Sequence, residues 1–457
     1  MRVCIGVIAK QMIKRTPLEK WIARKIGSGS QALNRSDLET YQLQKLQKNL
    51  RLVKEKSPFY QQKLKDFSAD IETIQHWHSI PFTTAEELQN NGLKMLIVPQ
   101  GDIQRVVTLD TSGTSGTPKR CFFTKADQEL TIDFFGVGMS CLVSKIDKVL
   151  ILLPGERPGS VGDLLCAGLK RKKIKSLKYG AVKDVSSVTN LIHEQKITAL
   201  VGAPSQILAL ARRSQVLGYP LPSSIKSVLL STDHAPQAII QSLEKTWGCE
   251  VFNHLGMTEM GLGGGVDCQA HYGMHMREAD LFFEIIDPIT GMVLPDGNYG
   301  EVVFTTLTRE GMPLIRYKTG DISRFLPEPC PCGTTLKTMD WIRYRYNDTL
   351  QFEQGLLTLA DLDEALFSLS PVLDFRVEVL NQQPILLSIT VFVNRDDFLI
   401  SEIDTALRTI PALENALAKD VVKLHLDLKL GLPDYFGSLA KRKIHLKTRC
   451  EKKQYNK

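Results

Sequence analysis

The spacing of apolar residues predicts helices in the first part of the chain. Leucines recur at helical spacing over 36–65, and the Ser57-Pro58 pair should end that helix. Another helix should begin after Pro81, within Thr83-Thr84-Ala85-Glu86-Glu87, which has the pattern of a capped helix start. We therefore expect the N-terminal segment to be a helical cover and not a catalytic unit.

From about Asp147 to Gly256, short apolar runs alternate with amphipathic stretches of helical length. This alternation predicts βαβ units and a largely parallel sheet. The expected strands lie at 148–154, 198–203, 227–231 and 250–253, and the expected helices at 185–195, 205–217 and 236–247.

The pattern changes again after residue 281. Strands expected at 282–286 and 301–305 are joined by turn residues, which favours a small antiparallel β region. Beyond 343–348, helices (359–368, 400–407) mix with strands (385–393, 422–428). We predict an α/β protein with a large N-terminal domain, 1–343, of mixed and parallel sheets plus the small β region, and a small α+β C-terminal domain, 344–457.

Composition narrows the function classes. The chain has 457 residues, 43% of them hydrophobic, and a formal charge of +7, which suits polyanionic small ligands and gives no reason to infer a nucleic-acid role. No apolar stretch approaches the roughly 20 residues of a bilayer span, and no cleavage site follows the start, so we expect a cytoplasmic protein without membrane contact. Nine cysteines indicate reduced thiols or metal ligands, and the oligomeric state is left open, a homodimer included.

One loop carries most of the chemical information, and it follows the strand expected at 105–109. Its glycines allow a sharp turn with N–H groups aimed at an anion, its hydroxyls add donors and its lysine adds a positive charge. The loop lacks the Gly-Lys-Ser/Thr ending of a Walker A motif, and a flexible linker would not need the Pro-Lys ending. It reads Thr111-Ser112-Gly113-Thr114-Ser115-Gly116-Thr117-Pro118-Lys119.

This loop resembles the phosphate-loop signature of the acyl-adenylate-forming superfamily, which includes acyl- and aryl-CoA ligases, luciferases and peptide-synthetase adenylation domains. A second motif of that superfamily reads aromatic-Gly-x-Thr-Glu. The chain has a similar segment at Gly256-Met257-Thr258-Glu259, preceded by Asn253-His254-Leu255. The resemblance implies that Thr258 lies near the α-phosphate, that Glu259 holds Mg²⁺ and that Asn253 meets the adenine edge. Leu255 replaces the usual tyrosine, which weakens the expected stacking on adenine.

Three further segments resemble superfamily motifs in the expected order. Tyr317-Lys318-Thr319-Gly320-Asp321 implies that Asp321 binds the ribose hydroxyls, and Arg345-Tyr346-Asn347-Asp348 resembles the domain hinge, with Tyr344 in place of glycine. Near the C-terminus the resemblance implies a lysine that contacts the carboxylate and the α-phosphate, with Lys441 preferred over Lys443. Ser231-Thr232-Asp233 and Ala203-Pro204-Ser205 are expected to border the acid pocket. His234 and His254 could line it too, or be satisfied core histidines.

The chain resembles the phenylacetate-CoA ligase branch of the superfamily over about residues 16–443. Examples are Ser57-Pro58-Phe59-Tyr60 and Pro313-Leu314-Ile315-Arg316-Tyr317. This resemblance also implies a structural zinc site of Cys268, His275, Cys330 and Cys332. Three thiolates and an imidazole suit tetrahedral zinc, whereas buried free thiols are the alternative.

The resemblance implies an enzyme that uses ATP and Mg²⁺ to convert a carboxylic acid to an acyl-AMP and then passes the acyl group to coenzyme A. A small C-terminal lid would rotate between the two steps. The alternatives are an adenylyltransferase acting on a cofactor or loading a carrier protein, and an inactive nucleotide-binding regulatory homologue. The identity of the acid cannot be read from the sequence.

Overall fold

The protein has an α/β fold, as predicted. Its structure is a computed structural model that describes residues 13–28, 33–109, 118–218, 224–346, 348–353, 355–437 and 442–447. The phosphate loop from Thr111 to Thr117, the hinge residue Asn347 and the candidate lysine Lys441 lie outside the described residues. Lys119, at the end of the loop, lies within them.

Side-chain caps fix the ends of the N-terminal helices. Thr84 and Glu87 form a reciprocal capping box, and Ser57 ends one helix while its hydroxyl accepts from Tyr60 N in the next. The predicted break at Ser57-Pro58 and the predicted helix start within 83–87 are therefore confirmed. Among the described residues the α-helices are α1 (Pro17–Ile26), α2 (Arg35–Lys56), α3 (Pro58–Lys63), α4 (Ile74–His78), α5 (Ala85–Asn91), α6 (Lys125–Met139), α7 (Val161–Arg171), α8 (Val185–Gln195), α9 (Pro204–Val216), α10 (Gln237–Trp247), α11 (Leu359–Phe367), α12 (Ile400–Arg408) and α13 (Pro411–Ala418), with short 3₁₀ helices at Gly92–Met95, Gln100–Asp102 and Thr258–Met260.

The strands form one eight-stranded sheet, two four-stranded sheets and two hairpins. Within the described ranges they are β1 (Ile103–Leu109), β2 (Lys119–Thr124), β3 (Lys148–Ile151), β4 (Lys175–Lys178), β5 (Ala199–Gly202), β6 (Ser227–Leu230), β7 (Glu250–Leu255), β8 (Gly265–Asp267), β9 (Met274–Met276), β10 (Leu281–Ile286), β11 (Gly300–Thr306), β12 (Tyr317–Ser323), β13 (Thr338–Met339), β14 (Tyr344–Arg345), β15 (Thr349–Phe352), β16 (Gly355–Thr358), β17 (Val372–Leu380), β18 (Ile385–Val393), β19 (Val422–Leu430) and β20 (Ile444–Lys447).

The central sheet has the order β13-β9-β8-β7-β6-β5-β3-β4. Its strands β3 to β7 are parallel, and β8, β9 and β13 extend it antiparallel. Strands β5 and β6 are buried along their whole length, as expected where helices cover both faces of a parallel sheet. The predicted βαβ units are confirmed, and α8 has the predicted bounds.

The second sheet, β10-β11-β12-β14, is antiparallel, which confirms the predicted small β region. Its strand β12 pairs with β14, so that Asp321 lies opposite Arg345. The hairpin of β1 and β2 flanks the phosphate loop and places Lys119 at the first position of β2. The carboxyl ends of β6 and β7 lie close to the β12-β14 edge of the second sheet, and the site lies between them.

The C-terminal sheet has the order β19-β18-β17-β20 and carries α11, α12 and α13. One apolar core runs from the helices of the central sheet into this sheet, since Leu208 and Leu243 belong to the same buried cluster as Leu362 and Val377. None of the helices in the described part of the chain is both long enough and apolar enough to cross a bilayer.

Candidate active site

A large cavity lies between the carboxyl ends of β6 and β7, the β12-β14 edge and α11. It contains about 910 Å³ of space, part of it open to solvent. We call it the large cavity. The predicted site residues that line it are Thr232, Asp233, Asn253, His254, Leu255, Gly256, Asp321 and Arg345.

Asp321 and Arg345 form an ion pair at one wall of the large cavity. Arg345 Nε lies 3.0 Å from Asp321 Oδ1, and Arg345 Nη2 donates to Thr319 O at 2.9 Å. Burial opposes the charge of Arg345, but Asp321 and Asp348 outweigh it and raise the pKa of the guanidinium. The wall therefore offers a fixed carboxylate and a fixed cation side by side.

Asn253 offers an amide oxygen to the same cavity. Its Oδ1 is buried and has no hydrogen-bond partner among the described residues, so a ligand donor is the natural partner. Thr232 adopts a φ of 79°, in the left-handed region, and this turn after β6 brings Asp233 and His234 to the cavity wall. An exocyclic amine such as that of adenine would complete the hydrogen bonding of Asn253.

Lys119 and Glu259 form a buried ion pair that Tyr317 joins. The lysine contacts Glu259 Oε1, and Tyr317 donates its hydroxyl proton to the same oxygen at 3.1 Å. Burial works to raise the pKa of the Glu259 carboxyl, but Lys119 outweighs it and holds that pKa below its usual range. Glu259 and Tyr317 lie close enough to Arg345, a residue of the large-cavity wall, to help raise the pKa of its guanidinium, so this ion pair lies beside that cavity.

A second, smaller cavity lies between α6 and strands β5 to β8. It contains about 370 Å³ and is lined mainly by apolar side chains, among them Phe134, Phe135, Met139 and Leu229. We call it the apolar cavity. His254 lines both cavities. Ser231, predicted to border the acid pocket, lines the apolar cavity, whereas the segment 203–205, predicted to border the same pocket, is in neither cavity wall.

Arg442 enters the large cavity from the C-terminal part of the chain. Arg442 Nη1 lies 2.5 Å from Asp363 Oδ1 and Arg442 Nε 3.5 Å from Asp374 Oδ1, while Asp233 accepts from Arg442 N at 3.3 Å. Burial raises the pKa of Asp363 to about 7, and Asp233 and Asp374 add to this effect while Arg442 opposes it. Three aspartates thus lie around one buried arginine, so these aspartates together retain a proton near neutral pH.

The predicted zinc ligands lie together in space. Cys268, His275, Cys330 and Cys332 are all buried, and their ligand atoms lie within 4.8 Å of one another. The Cys268 Sγ to Cys330 Sγ distance is 3.8 Å, and the Cys332 Sγ to His275 Nε2 distance is 3.5 Å. Zinc bonds of about 2.3 Å to sulfur and about 2.0 Å to nitrogen at tetrahedral angles separate ligand atoms by roughly 3.5 to 3.8 Å. The cluster fits a tetrahedral metal ion.

Apart from the cysteine-histidine cluster, the predicted residues that form the ion pair or line a cavity fall into three groups. Lys119 and Glu259 form the ion pair, the residues named above line the large cavity, and Ser231 belongs to the apolar cavity. Met257, Thr258 and Lys443 are not in either cavity wall.

Several wall residues have no signal that sequence inspection could have used. Arg442 stands in a basic tail where any cation could be solvated, and Phe134-Phe135 resembles ordinary helix core. Of the aspartates around Arg442, Asp363 comes from α11, Asp374 from β17 and Asp233 from the turn after β6, so only the fold brings them together.

The family model for AMP-binding enzymes matches residues 47–307 of the chain. The chain is also similar to curated phenylacetate-coenzyme A ligases. That of Thermus thermophilus is 28% identical over 328 residues, 70% of this chain and 73% of the relative. That of Aromatoleum evansii is 29% identical over 338 residues, 69% and 72% of the two chains.

Solved structures of 2-hydroxyisobutyryl-CoA ligase have a similar fold. The postadenylation state in complex with 2-HIB-AMP gives a TM-score of 0.74 at 19% identity and covers 91% of this chain and 90% of that one. The thioesterification state with 2-HIB-AMP and CoA gives 0.65 at 20% identity, with 91% of each chain covered.

Proposed function

The chain belongs to the AMP-binding enzyme family, and on this premise we propose that it is an ATP-dependent acid-thiol ligase that forms an acyl-AMP and then an acyl-CoA thioester. The curated relatives are named phenylacetate-coenzyme A ligases, and the similar fold is that of a ligase solved with an acyl-AMP and CoA. The proposal extends those activities to this chain.

The observation that carries the proposal is the position of the Lys119–Glu259 pair beside the large cavity. An ATP molecule needs a carboxylate for its ribose, an acceptor for the adenine amine, and charged groups at its phosphates. Asp321, Asn253 and the Lys119–Glu259 pair are these groups, and Tyr317 connects the pair to the strand of Asp321.

In the first step, a carboxylate oxygen of the acid attacks the α-phosphorus of ATP, the bond to the bridging oxygen breaks, and pyrophosphate leaves. When ATP is bound, Lys119 would contact the phosphates instead of Glu259, and Glu259 would be free to hold Mg²⁺. The ion's role in such reactions is to neutralise charge on the phosphate oxygens. The products are acyl-AMP and pyrophosphate.

In the second step, the thiol sulfur of coenzyme A attacks the acyl carbonyl carbon, the thiol proton is lost, and AMP leaves. We assign the lysine that offsets charge in the first step to Lys441, with Lys443 as the second choice. The C-terminal domain, 344–457, would rotate about Arg345 between the steps. Arg345 is half-buried in β14 and paired with Asp321, a suitable place for a hinge next to the nucleotide.

We also propose that the cysteine-histidine cluster holds a structural zinc ion. The cluster is closed, with four protein ligands and no open position, as structural zinc sites are. It joins the loop after β8 to the loop before β13, and β13 pairs with β9, the strand that carries His275. Zinc would therefore fix the edge of the central sheet.

A coupled assay tests the proposed function. Purified protein, ATP, Mg²⁺ and coenzyme A are incubated with a panel of aliphatic and aromatic carboxylic acids, and AMP and acyl-CoA are quantified by mass spectrometry. We expect equal amounts of AMP and acyl-CoA with at least one acid, and a loss of about 100-fold in Glu259→Gln. Formation of AMP without any thioester, when coenzyme A is present, would instead favour transfer to another acceptor.

A further inference from the structure

The apolar cavity has a single polar corner. Its wall is built of aliphatic and aromatic side chains except at Ser231 and His254, which stand next to each other. Ser231 Oγ lies 2.9 Å from His254 Nδ1. Such a wall suits the apolar part of an acyl group.

The His254 ring is held in one orientation. A Cβ atom added at Gly256 would come within 2.6 Å of His254 Cε1, so the backbone there lies directly against the ring. On other sides the ring contacts Phe134 and Phe135, with centroids 6.2 Å and 5.9 Å away. Together with the Ser231 contact at Nδ1, this packing holds the ring in place in the wall of the apolar cavity.

Nε2 has no partner. It is buried and makes no hydrogen bond to any of the described residues. Burial lowers the pKa of His254 to about 4, so the ring is neutral at physiological pH and carries one donor and one acceptor nitrogen. Because Ser231 pairs with Nδ1, either a bare acceptor or an N–H donor is left unpaired at Nε2. Unpaired buried polar groups are rare and costly, which indicates a ligand partner.

We propose that the acid used at this site has an apolar body bearing one hydrogen-bonding substituent, such as a hydroxyl, and that this substituent pairs with Nε2 of His254. This inference rests on the proposed ligase function, because it identifies the apolar cavity as the acyl site. A hydroxyl fits both tautomers of the ring, since it can donate to a bare nitrogen or accept from N–H. An acid without the substituent would leave Nε2 unpaired against an apolar surface and would be selected against.

Matched acids test this selection. Arylacetic and arylpropionic acids are compared with their ring-hydroxylated and ring-methoxylated forms, with the substituent at each ring position. Acid-dependent pyrophosphate exchange gives kcat/KM, and calorimetric titration of each acid with AMP present gives affinity without catalysis. At one ring position we expect the hydroxylated acid to exceed its unsubstituted counterpart at least about tenfold in both measurements. The methoxy acid should match the hydroxy acid if Nε2 is a donor, and fall to the unsubstituted level if it is an acceptor.

Two variants separate polarity from size. His254→Phe keeps a ring but removes both nitrogens, so it should abolish or reverse the preference for the hydroxylated acid. Leu229→Ala, in the apolar part of the same wall, should change both members of each pair by similar factors.

Equal kcat/KM and equal affinity for the two acids of a pair in the wild-type protein would overturn the proposed preference for the hydroxylated acid. Equal changes for both acids in His254→Phe would overturn it too. A calorimetric preference without any pyrophosphate exchange would instead overturn the ligase function and leave the selection standing. The two inferences therefore fail in distinguishable ways.

Discussion

Glu259 is a buried carboxylate whose charge depends on one lysine. Its exposed fraction is 2%, and Lys119 is the only cation in an ion pair with its carboxylate among the described residues. Lys119→Met would leave an unpaired buried charge, so we expect a loss of about 2 kcal/mol in unfolding free energy at pH 7, which urea denaturation measures. Arg120→Met, at the exposed next position of β2, is the matched control and should change stability by less than about 0.5 kcal/mol.

The pH dependence of that loss is a further check. Because the pKa of Glu259 is lower in the folded protein than in the unfolded chain, the pair contributes stability above the unfolded pKa of about 4.3 and loses it as the pH falls through the folded value. The difference between wild type and Lys119→Met should therefore be constant from pH 6 to 8 and shrink in acid. A difference that does not shrink would contradict the assigned ionisation.

The contribution of Asp363 to stability depends on pH in the opposite direction. Its pKa of about 7 lies above the unfolded value of about 3.9, so the folded protein binds the extra proton and this group's contribution to stability is lost as the pH rises from about 4 to about 7. We expect Asp363→Asn to gain stability relative to wild type between pH 5 and pH 8 in urea denaturation. Asp434→Asn, at an exposed position, should follow the wild-type curve. Parallel curves for Asp363→Asn and wild type would show that the proton is not held there.

At the residue scale, sequence alone could identify only groups that stand in short motifs. Asp321 and Asn253 were found this way, and both line the large cavity. Arg442 was missed because its partners Asp233, Asp363 and Asp374 are distant along the chain. Their proximity is a property of the fold and leaves no local pattern.

Among the elements, the cysteine-histidine cluster is the clearest test. Purified protein should contain close to one zinc ion per chain by mass spectrometry of the metal. Removal by a chelator, or Cys330→Ser, should lower the melting temperature by several degrees, because the loop before β13 loses its attachment to β9. Cys166→Ser, which is half-buried and outside the cluster, is the control. Absence of stoichiometric metal, with no effect of the chelator, would remove the zinc proposal.

Element prediction succeeded where the apolar period was long and regular. Helix α8 and strand β18 have the bounds that their patterns predicted, because each buries one continuous face. Strand β17 was not predicted. Its charged residues Asp374, Arg376 and Glu378 alternate with the apolar residues Phe375, Val377 and Val379, so the pattern was present but was not used. Asp374 is buried, and Arg442 lies beside it.

On the scale of the whole molecule, Arg212 of α9 joins the central sheet region to the C-terminal part. Its guanidinium donates to Phe367 O at 2.7 Å and Leu369 O at 3.0 Å, and also to Val372 O. These carbonyls lie at and beyond the C-terminal end of α11, where backbone acceptors lack helical partners and the dipole favours a cation. Burial lowers the pKa of Arg212 to about 10, and the side chain is still charged at neutral pH.

Removing this guanidinium should loosen the C-terminal part selectively. We expect Arg212→Met to cost about 2 to 3 kcal/mol in the stability of that interface, because three buried carbonyls lose their donor. Limited proteolysis should then cut near residues 343–355 faster than in wild type. Arg213→Met, on the same helix but half-buried, should cut at the wild-type rate. Equal protection of Arg212→Met would show that the apolar core alone holds the interface.

No sequence pattern predicted this interface, because α9 reads as an ordinary amphipathic helix and its arginine as a surface charge. The two domains were predicted from the change in element pattern alone. The continuous core from Leu208 to Val377 is a result of packing, which the order of elements does not specify.

The central claim is that this chain activates a carboxylic acid as its adenylate, and isotope exchange tests it most directly. Wild-type protein, ATP, Mg²⁺ and labelled pyrophosphate are incubated with and without the best acid, and label in ATP is counted. We predict label transfer that requires the acid, needs no coenzyme A, and falls about 100-fold in Glu259→Gln. Exchange that is absent with every acid tested, in protein that still binds ATP, would contradict the claim and leave a nucleotide-binding protein without ligase activity.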